Sequence, residues 1–561
     1  MLQKCKDNGN SNTFRKREHN IMNISKVKYL LLSFIFVLIL SGCSKEGIYS
    51  DKGQVFRKVI PQDMSTLDTA LITDAVSGDI SNQVFEGLFT LDENDKAKLA
   101  LAKELPKKSN GGKTLTFKLR NDAKWSNGDP VTANDFVYAW RKLVDPKTGS
   151  EYAYIMSDIE NADSINAGKL PVEKLGIKAL SKYELEIKLK RPIPYINELL
   201  ALSNFYPQNE KVAKKFGEKY GLKPQNAVYN GPFKVDTWRA EDKILLSKNN
   251  FYWDKKNVKL DKVNYKILKD KQAGASLFET GSVDDTLILA DQVKKYENSK
   301  ALQKRLTSGN FFIKFNQKKV KEFKNRNLRI AIALAIDKKG YVEAVKNDGS
   351  TFSDTFTAKG VAKLSNGDDY ASSVNSPLKY DKKKALEYWE KAKKELNIKK
   401  FTFSMNTEDT PDSKISAEYI KAQIEKNLPG VKMKIRQLPF KQRLSEEFKM
   451  TYESSLTGWA ADYPDPTTYL STMTKDNPQN NTDWGNKKYD DYLGEINGKL
   501  LGDVSERDSK MKEDEELLLK EAPLAPIYQK GEAHLTNPKV KGLQYHVVGP
   551  DTTLKYVYIE K

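Results

Sequence analysis

The chain has 561 residues, with 94 lysines and arginines against 75 aspartates and glutamates, a net charge of +19. Hydrophobic residues make up 39% and aromatics 10%, enough to fill packed cores over two or three lobes, which excludes disorder over most of the length. Two cysteines and three histidines exclude a disulfide framework, a thiolate metal cluster and a histidine-rich metal site.

The first element is an apolar run of 12 residues at 29–40 (YLLLSFIFVLIL), preceded by Lys26 and Lys28. It is shorter than the roughly 20 residues that a membrane-spanning helix needs, and it suits the core of a signal peptide. Leu40-Ser41-Gly42-Cys43 follows directly and resembles a bacterial lipobox, in which Cys43 is acylated and becomes the mature N-terminus. The alternative is an uncleaved anchor with an incidental cysteine. Met22 opens a complete signal peptide by itself, so residues 1–21 read as an upstream extension. Removing residues 1–42 leaves 87 basic against 73 acidic groups, a net +14. The lysines lie in mixed runs such as KAKKELNIKK, without a compact basic motif, so no nucleic-acid partner is expected. A solvated surface near an anionic envelope is the better reading.

Residues 43–54 are polar and glycine-containing, as a tether would be. From Val55 onward strand-like and helix-like patterns alternate. Leu115, Phe117 and Leu119 alternate with polar residues, as do Tyr183, Leu185, Ile187 and Leu189; both predict half-buried strands. Leu328, Ala331, Ile332 and Ala335 recur at helical spacing, with Asn327 as the expected cap. Asn127-Gly128-Asp129-Pro130, Asn230-Gly231-Pro232 and Leu428-Pro429-Gly430 mark turns. No internal repeat is found, and the expectation is a large mixed α/β body.

Catalytic motifs are missing. The mature histidines are His534 and His546, and neither HExxH nor GxSxG occurs. Gly112-Lys113-Thr114 ends like a phosphate loop, but Lys107 stands where that pattern needs glycine, so a basic hairpin turn is expected. Paired carboxylates of the glycosidase kind stay open, because their pairing is spatial. The balance favours binding over turnover: no enzyme and no cofactor are expected.

Residues 123–143 (AKWSNGDPVTANDFVYAWRKL) read as a strand end, a tight turn and an amphipathic helix carrying Phe136, Val137 and Trp140. The segment also resembles the signature of the bacterial extracellular solute-binding proteins of the peptide and nickel class, which serve ABC importers. Further matches follow in family order: Phe85-Glu86-Gly87-Leu88, Asn230-Gly231-Pro232-Phe233, NNFYWD from Asn249 to Asp254, Phe315-Asn316-Gln317, the LRIAIALAID helix, and Gly458-Trp459-Ala460-Ala461-Asp462-Tyr463-Pro464-Asp465-Pro466. Among such proteins the oligopeptide-binding lipoproteins are the most similar.

The resemblance implies a two-lobed periplasmic-binding-protein-like α/β fold of class II (cluster C), with an extra domain and a two-crossover hinge about which the lobes close. The expected boundaries are 1–42 for extension and signal peptide, 43–54 for the tether, and 55–88, 207–312 and 527–561 for the first lobe. The extra domain would be 89–206 and the second lobe 313–526. The implied ligand is an oligopeptide, bound by its α-amino group on Asp462 and by strand addition along Gly458, Trp459 and Ala460. Thr73, Asp74 and Ala75 would supply a facing edge on the first lobe, and Tyr152 would line the cleft. Asp462 reads alternatively as a surface aspartate in a proline-rich loop, and Trp459 and Tyr152 as ordinary core aromatics. One departure is visible. Enteric relatives place a basic residue just before the Gly-Trp pair, where it can meet a ligand carboxylate, and here Leu456 and Thr457 stand there. The implied partners are ABC permease and ATPase subunits and, through the lipid anchor, the membrane; a monomer on the outer face of a Gram-positive cytoplasmic membrane is expected. Alternative cargoes on the same fold are a nickel chelate, haem, a sugar oligomer or a peptide pheromone, and an envelope hydrolase is the rival from another class.

Overall fold

The computed structural model describes residues 53–561; the signal peptide, the lipobox with Cys43 and the tether up to residue 52 lie outside the described residues. The chain opens with strand β1 (Val55–Ile60), whose apolar side chains are buried, and with helix α1 (Ala75–Val84). The two sequence-predicted strands form as β2 (Thr114–Lys118) and β3 (Glu184–Lys188). They pair antiparallel within a four-stranded sheet completed by Lys107–Ser109 and Ile177–Ser181. The turn at Asn110–Gly112 joins Lys107–Ser109 to β2, so Gly112-Lys113-Thr114 is the basic hairpin the sequence suggested.

Between β2 and β3 comes α2 (Ala133–Val144), whose Phe136, Val137 and Trp140 are buried. Its start is fixed by Thr132, which donates its N–H (2.8 Å) and its hydroxyl (3.0 Å) to Asp135 Oδ2. In place of a strand end, an isolated bridge between Lys124 and Pro130 closes the turn before it. There Asn127 Oδ1 accepts from Asp129 N at 3.1 Å, and Gly128 takes the positive φ of +92° that the turn requires.

Further along come β4 (Lys262–Ile267), parallel to β1, and the 14-residue strand β5 (Leu302–Phe315). Helix α3 (Arg326–Leu334) follows, with Leu328, Ala331 and Ile332 buried as their spacing required. Its cap is Asn325, not Asn327: Asn325 Oδ1 accepts from Leu328 N at 3.0 Å, while Asn327 lies inside the first turn and donates to Glu395 (2.8 and 2.9 Å). Two asparagines spaced by two compete for one cap, and the neighbouring carboxylate draws the second away. The remaining labelled elements are β6 (Phe401–Glu408), α4 (Phe440–Phe448), β7 (Ser454–Trp459), α5 (Val504–Glu521) and β8 (Leu524–Thr536).

One eleven-stranded sheet runs through the molecule in the order 431–438, β6, β7, β5, β8, 285–287, β1, β4, 243–248, 233–239, with Thr351–Phe352 pairing off this path to β8. One core gathers Phe56, Trp125, Trp140, Tyr206 and Tyr265, and a second gathers Phe312, Leu328, Trp389, Phe403 and Leu518. These are the two lobes. The antiparallel pair β5–β8 links them: Phe312, Ile313, Leu524 and Ile527 belong to the second core, while Leu302, Ala533 and Leu535 pack in a small cluster with Ala275 and Ile288. Between Leu306 and Asn310 the register of this pair slips, so Thr307, Ser308 and Gly309 leave the regular ladder at the middle of both crossings.

Three of the family motifs meet one another. Asn230 Oδ1 accepts from Glu86 N (3.1 Å) and its amide donates to Glu86 O (2.9 Å). The Glu86 carboxylate in turn receives the Tyr252 hydroxyl and Trp253 Nε1 (2.6 Å to the indole). Phe85-Glu86-Gly87, Asn230-Gly231-Pro232 and the NNFYWD stretch are therefore a structural knot.

Candidate functional site

β7 runs beside β5 to its last residue, Trp459 opposite Asn310 and Gly458 opposite Phe311. Its other edge pairs with β6 only at Ser454 and Ser455, so the Leu456–Trp459 stretch has an open side. Gly458 leaves little room for a side chain: a Cβ would sit 3.0 Å from the Phe311 ring, which is itself stacked on Tyr528 at 4.7 Å. Beyond Trp459 the chain turns through Ala460-Ala461-Asp462. The turn is held by Ala461 N donating to Ser308 Oγ (3.2 Å) and by Asp462 N donating to Thr468 Oγ1 (3.0 Å). Behind it Arg507 grips Asp465 with two hydrogen bonds of 2.7 and 3.0 Å, both groups buried. The proline-rich loop is thus anchored to α5.

A cavity of about 560 Å³ lies between the two cores, and all eight expected ligand residues line it: Thr73, Asp74, Ala75, Tyr152, Gly458, Trp459, Ala460 and Asp462. Asp462 is half-buried, and its Oδ1 accepts from the hydroxyls of Tyr152 (3.0 Å) and Tyr154 (3.4 Å), which come from the opposite lobe. No cation among the described residues pairs with it. Burial pushes its pKa up, and the two hydroxyls offset only part of that. The same burial, with the Asp462 charge, pushes the Tyr154 hydroxyl up to about 12 and Tyr152 higher still, so both hydroxyls stay protonated and can only donate to the carboxylate. Beside this contact Tyr463 stacks on Tyr195, ring centroids 4.5 Å apart and 2° from parallel, and Arg191 Nη1 donates to Asn497 Oδ1 at 2.9 Å.

Trp459 and Tyr152 fall between their two readings: each is half-buried against a core and each presents a face to the cavity. The indole Nε1 of Trp459 is buried without a partner. Residues 73–75 are not a strand. Thr73 is irregular, Ala75 is the first helical residue, and Asp74 caps α1 by accepting from Ser77 N (2.8 Å) and the Ser65 hydroxyl (2.6 Å). The Asp74 carboxylate is thereby committed to the fold.

Sequence reading missed Tyr154, Ser308, Glu408, Arg443, Glu532 and Asp551, all at or beside the cavity. They come from six separate stretches, and only the fold brings them together. Arg443 is informative. It lies on α4 and donates to Thr457 Oγ1 at 2.8 Å, so a guanidinium reaches the neighbourhood of the Gly-Trp pair from another element. Glu447 and Glu408 already hold it.

The model for bacterial extracellular solute-binding proteins, family 5, matches residues 96–481, and the chain belongs to that family. A dipeptide-binding protein of Lactococcus lactis is 35% identical over 560 residues, covering 96% of this chain and all of that protein. Among solved structures, the substrate-binding domain of an oligopeptide ABC transporter from Bacillus anthracis is 41% identical with a TM-score of 0.76, covering 90% of this chain and 99% of its own. Listeria monocytogenes OppA bound to peptide is 38% identical with a TM-score of 0.76, covering 91% and 100%. The family binds solutes and does no chemistry on them, which closes the hydrolase reading.

Proposed function

We propose that this family 5 protein is the lipid-anchored receptor of an ABC importer and captures oligopeptides, holding the free α-amino group on Asp462. The observation that carries the reading is the Asp462 carboxylate: half-buried, facing a cavity between the lobes, and supplied with hydroxyl donors but no cation. A ligand ammonium is the missing partner, and a charge-assisted hydrogen bond of that kind is worth about 1.5–3 kcal/mol. The open edge of β7 at Gly458–Trp459 offers backbone groups to an extended chain, which gives affinity without regard to side chains. The names of the relatives, a dipeptide-binding protein and an OppA solved with peptide, support the same cargo. Cys43 would carry the lipid on the outer face of the membrane, and separate permease and ATPase subunits would complete the importer.

Calorimetry with a mixed peptide library tests the reading. Micromolar or tighter binding is expected, near −8 kcal/mol, and Asp462→Asn should weaken it by about ten- to a hundredfold. Absence of both heat and thermal shift in the unsubstituted protein would overturn it.

A further inference from the structure

Asp462 is one of five carboxylates on the cavity wall; the others are Asp74, Glu408, Glu532 and Asp551. The basic side chains on the wall are Arg443, Lys530 and His546, and each already has an acidic partner. Arg443 Nη2 lies 3.3 Å from Glu408 with Nη1 on Glu447, Lys530 lies 3.2 Å from Glu532, and His546 Nδ1 lies 2.6 Å from Asp95. Among the carboxylates, Asp74 caps α1, while Glu408 and Glu532 are paired, Glu532 also with Arg305 at 2.8 Å. Apart from the capping Asp74, two are left without an ion pair among the described residues: Asp462 and Asp551.

The backbone carbonyl of Asp551 accepts from His546 N (3.1 Å) and Arg305 Nη1 (3.3 Å), and its carboxylate makes no hydrogen bond among the described residues. Burial, and then the like charge of Asp79, pushes its pKa up, with Glu532 adding to this and Arg305 and Lys58 opposing it. An anionic side chain entering the cavity finds no free cation among the described residues of its wall. A cationic one finds a carboxylate that closure would otherwise leave uncompensated.

We propose that Asp551 receives a basic side chain (lysine, ornithine or arginine) of a peptide whose α-amino group sits on Asp462, so that the preferred cargo is a cationic peptide. The inference rests on the peptide reading above and adds a side-chain class to it. It also accounts for a net-basic protein enclosing a net-acidic cavity.

The test is a charge scan by titration calorimetry on the intact protein, using penta-alanine with lysine, norleucine or glutamate placed in turn at each position after the first. At one position lysine is expected to bind at least about tenfold tighter than norleucine, with glutamate the weakest. Asp551→Asn should collapse the lysine-to-norleucine ratio at that position to about one. Equal affinity for lysine and norleucine at every position overturns the proposal, and so does a lysine preference that survives intact in Asp551→Asn. Should the variant fail to fold, the scan on the unsubstituted protein still decides. Failure of every pentapeptide to bind would overturn the peptide reading itself, an outcome distinct from binding without charge preference.

Discussion

Asp462 holds its proton more tightly than a free aspartate because burial penalises the ionised form. A ligand ammonium reverses that balance and draws the carboxyl pKa down, so binding expels a proton at any pH between the two values. Affinity therefore falls as pH drops through the value of the unliganded protein. Calorimetry in two buffers of different ionisation enthalpy should show proton release under mildly acidic conditions, and a heat independent of buffer would contradict it. Asp514, on α5, is a residue of the opposite kind. It is fully buried with both carboxylate oxygens unpartnered, and burial together with Glu515 and Asp490 pushes its pKa up to about 9. The folded state keeps this proton long after the unfolded chain has lost it, so this group's contribution to stability declines as pH rises from about 4 to about 9. Asp514→Asn should stabilise the protein at neutral pH by about 1–3 kcal/mol, with the gain shrinking toward pH 4, as thermal unfolding across that range would show.

At the scale of elements, the sequence announced most of what local patterning controls. The alternation in β2 and β3, the stripe in α3 and the tight turn before α2 were legible because each depends on neighbours within a few residues. The cap of α3 was misplaced by two positions because Glu395, about seventy residues away, decides which asparagine is free to cap. The loop at 73–75, expected as a facing edge on the first lobe, leads into a helix start for a related reason: a short aspartate before a helical stretch serves the orphan N–H groups of that helix first. The glycine of Asn230-Gly231-Pro232 shows a turn signal whose meaning is tertiary. A Cβ on Gly231 would lie 2.6 Å from the Val84 carbonyl carbon, where the two motifs cross. Gly231→Ala should cost about 1–3 kcal/mol by forcing backbone apart. An unchanged denaturation midpoint would show that the crossing is looser than described.

At the scale of the whole molecule, the cavity is the product of two lobes meeting across two strands. β5 and β8 are long enough to serve both lobes, and their shared irregularity at Thr307–Gly309 lies on the cavity wall, so the cavity and the crossing point are neighbours. Contacts bridging the lobes concentrate at Asp462 and Tyr463, which meet Tyr152, Tyr154 and Tyr195. A family motif pointed to Asp462, Gly458 and Trp459 because they are contiguous in sequence. Asp551, Glu408 and Arg443 carried no such signal, being joined to the site only by folding. This division explains why the proposed anchor for the amino terminus was readable while these other residues of the cavity wall were not.

The central claim is that a peptide enters with its free amino terminus on Asp462. The direct measurement is the affinity of one peptide in two forms, with a free and with an acetylated amino terminus, for the unsubstituted protein. Acetylation should cost about tenfold or more in affinity, and equal affinities for the two forms would rule out recognition of the amino terminus by Asp462.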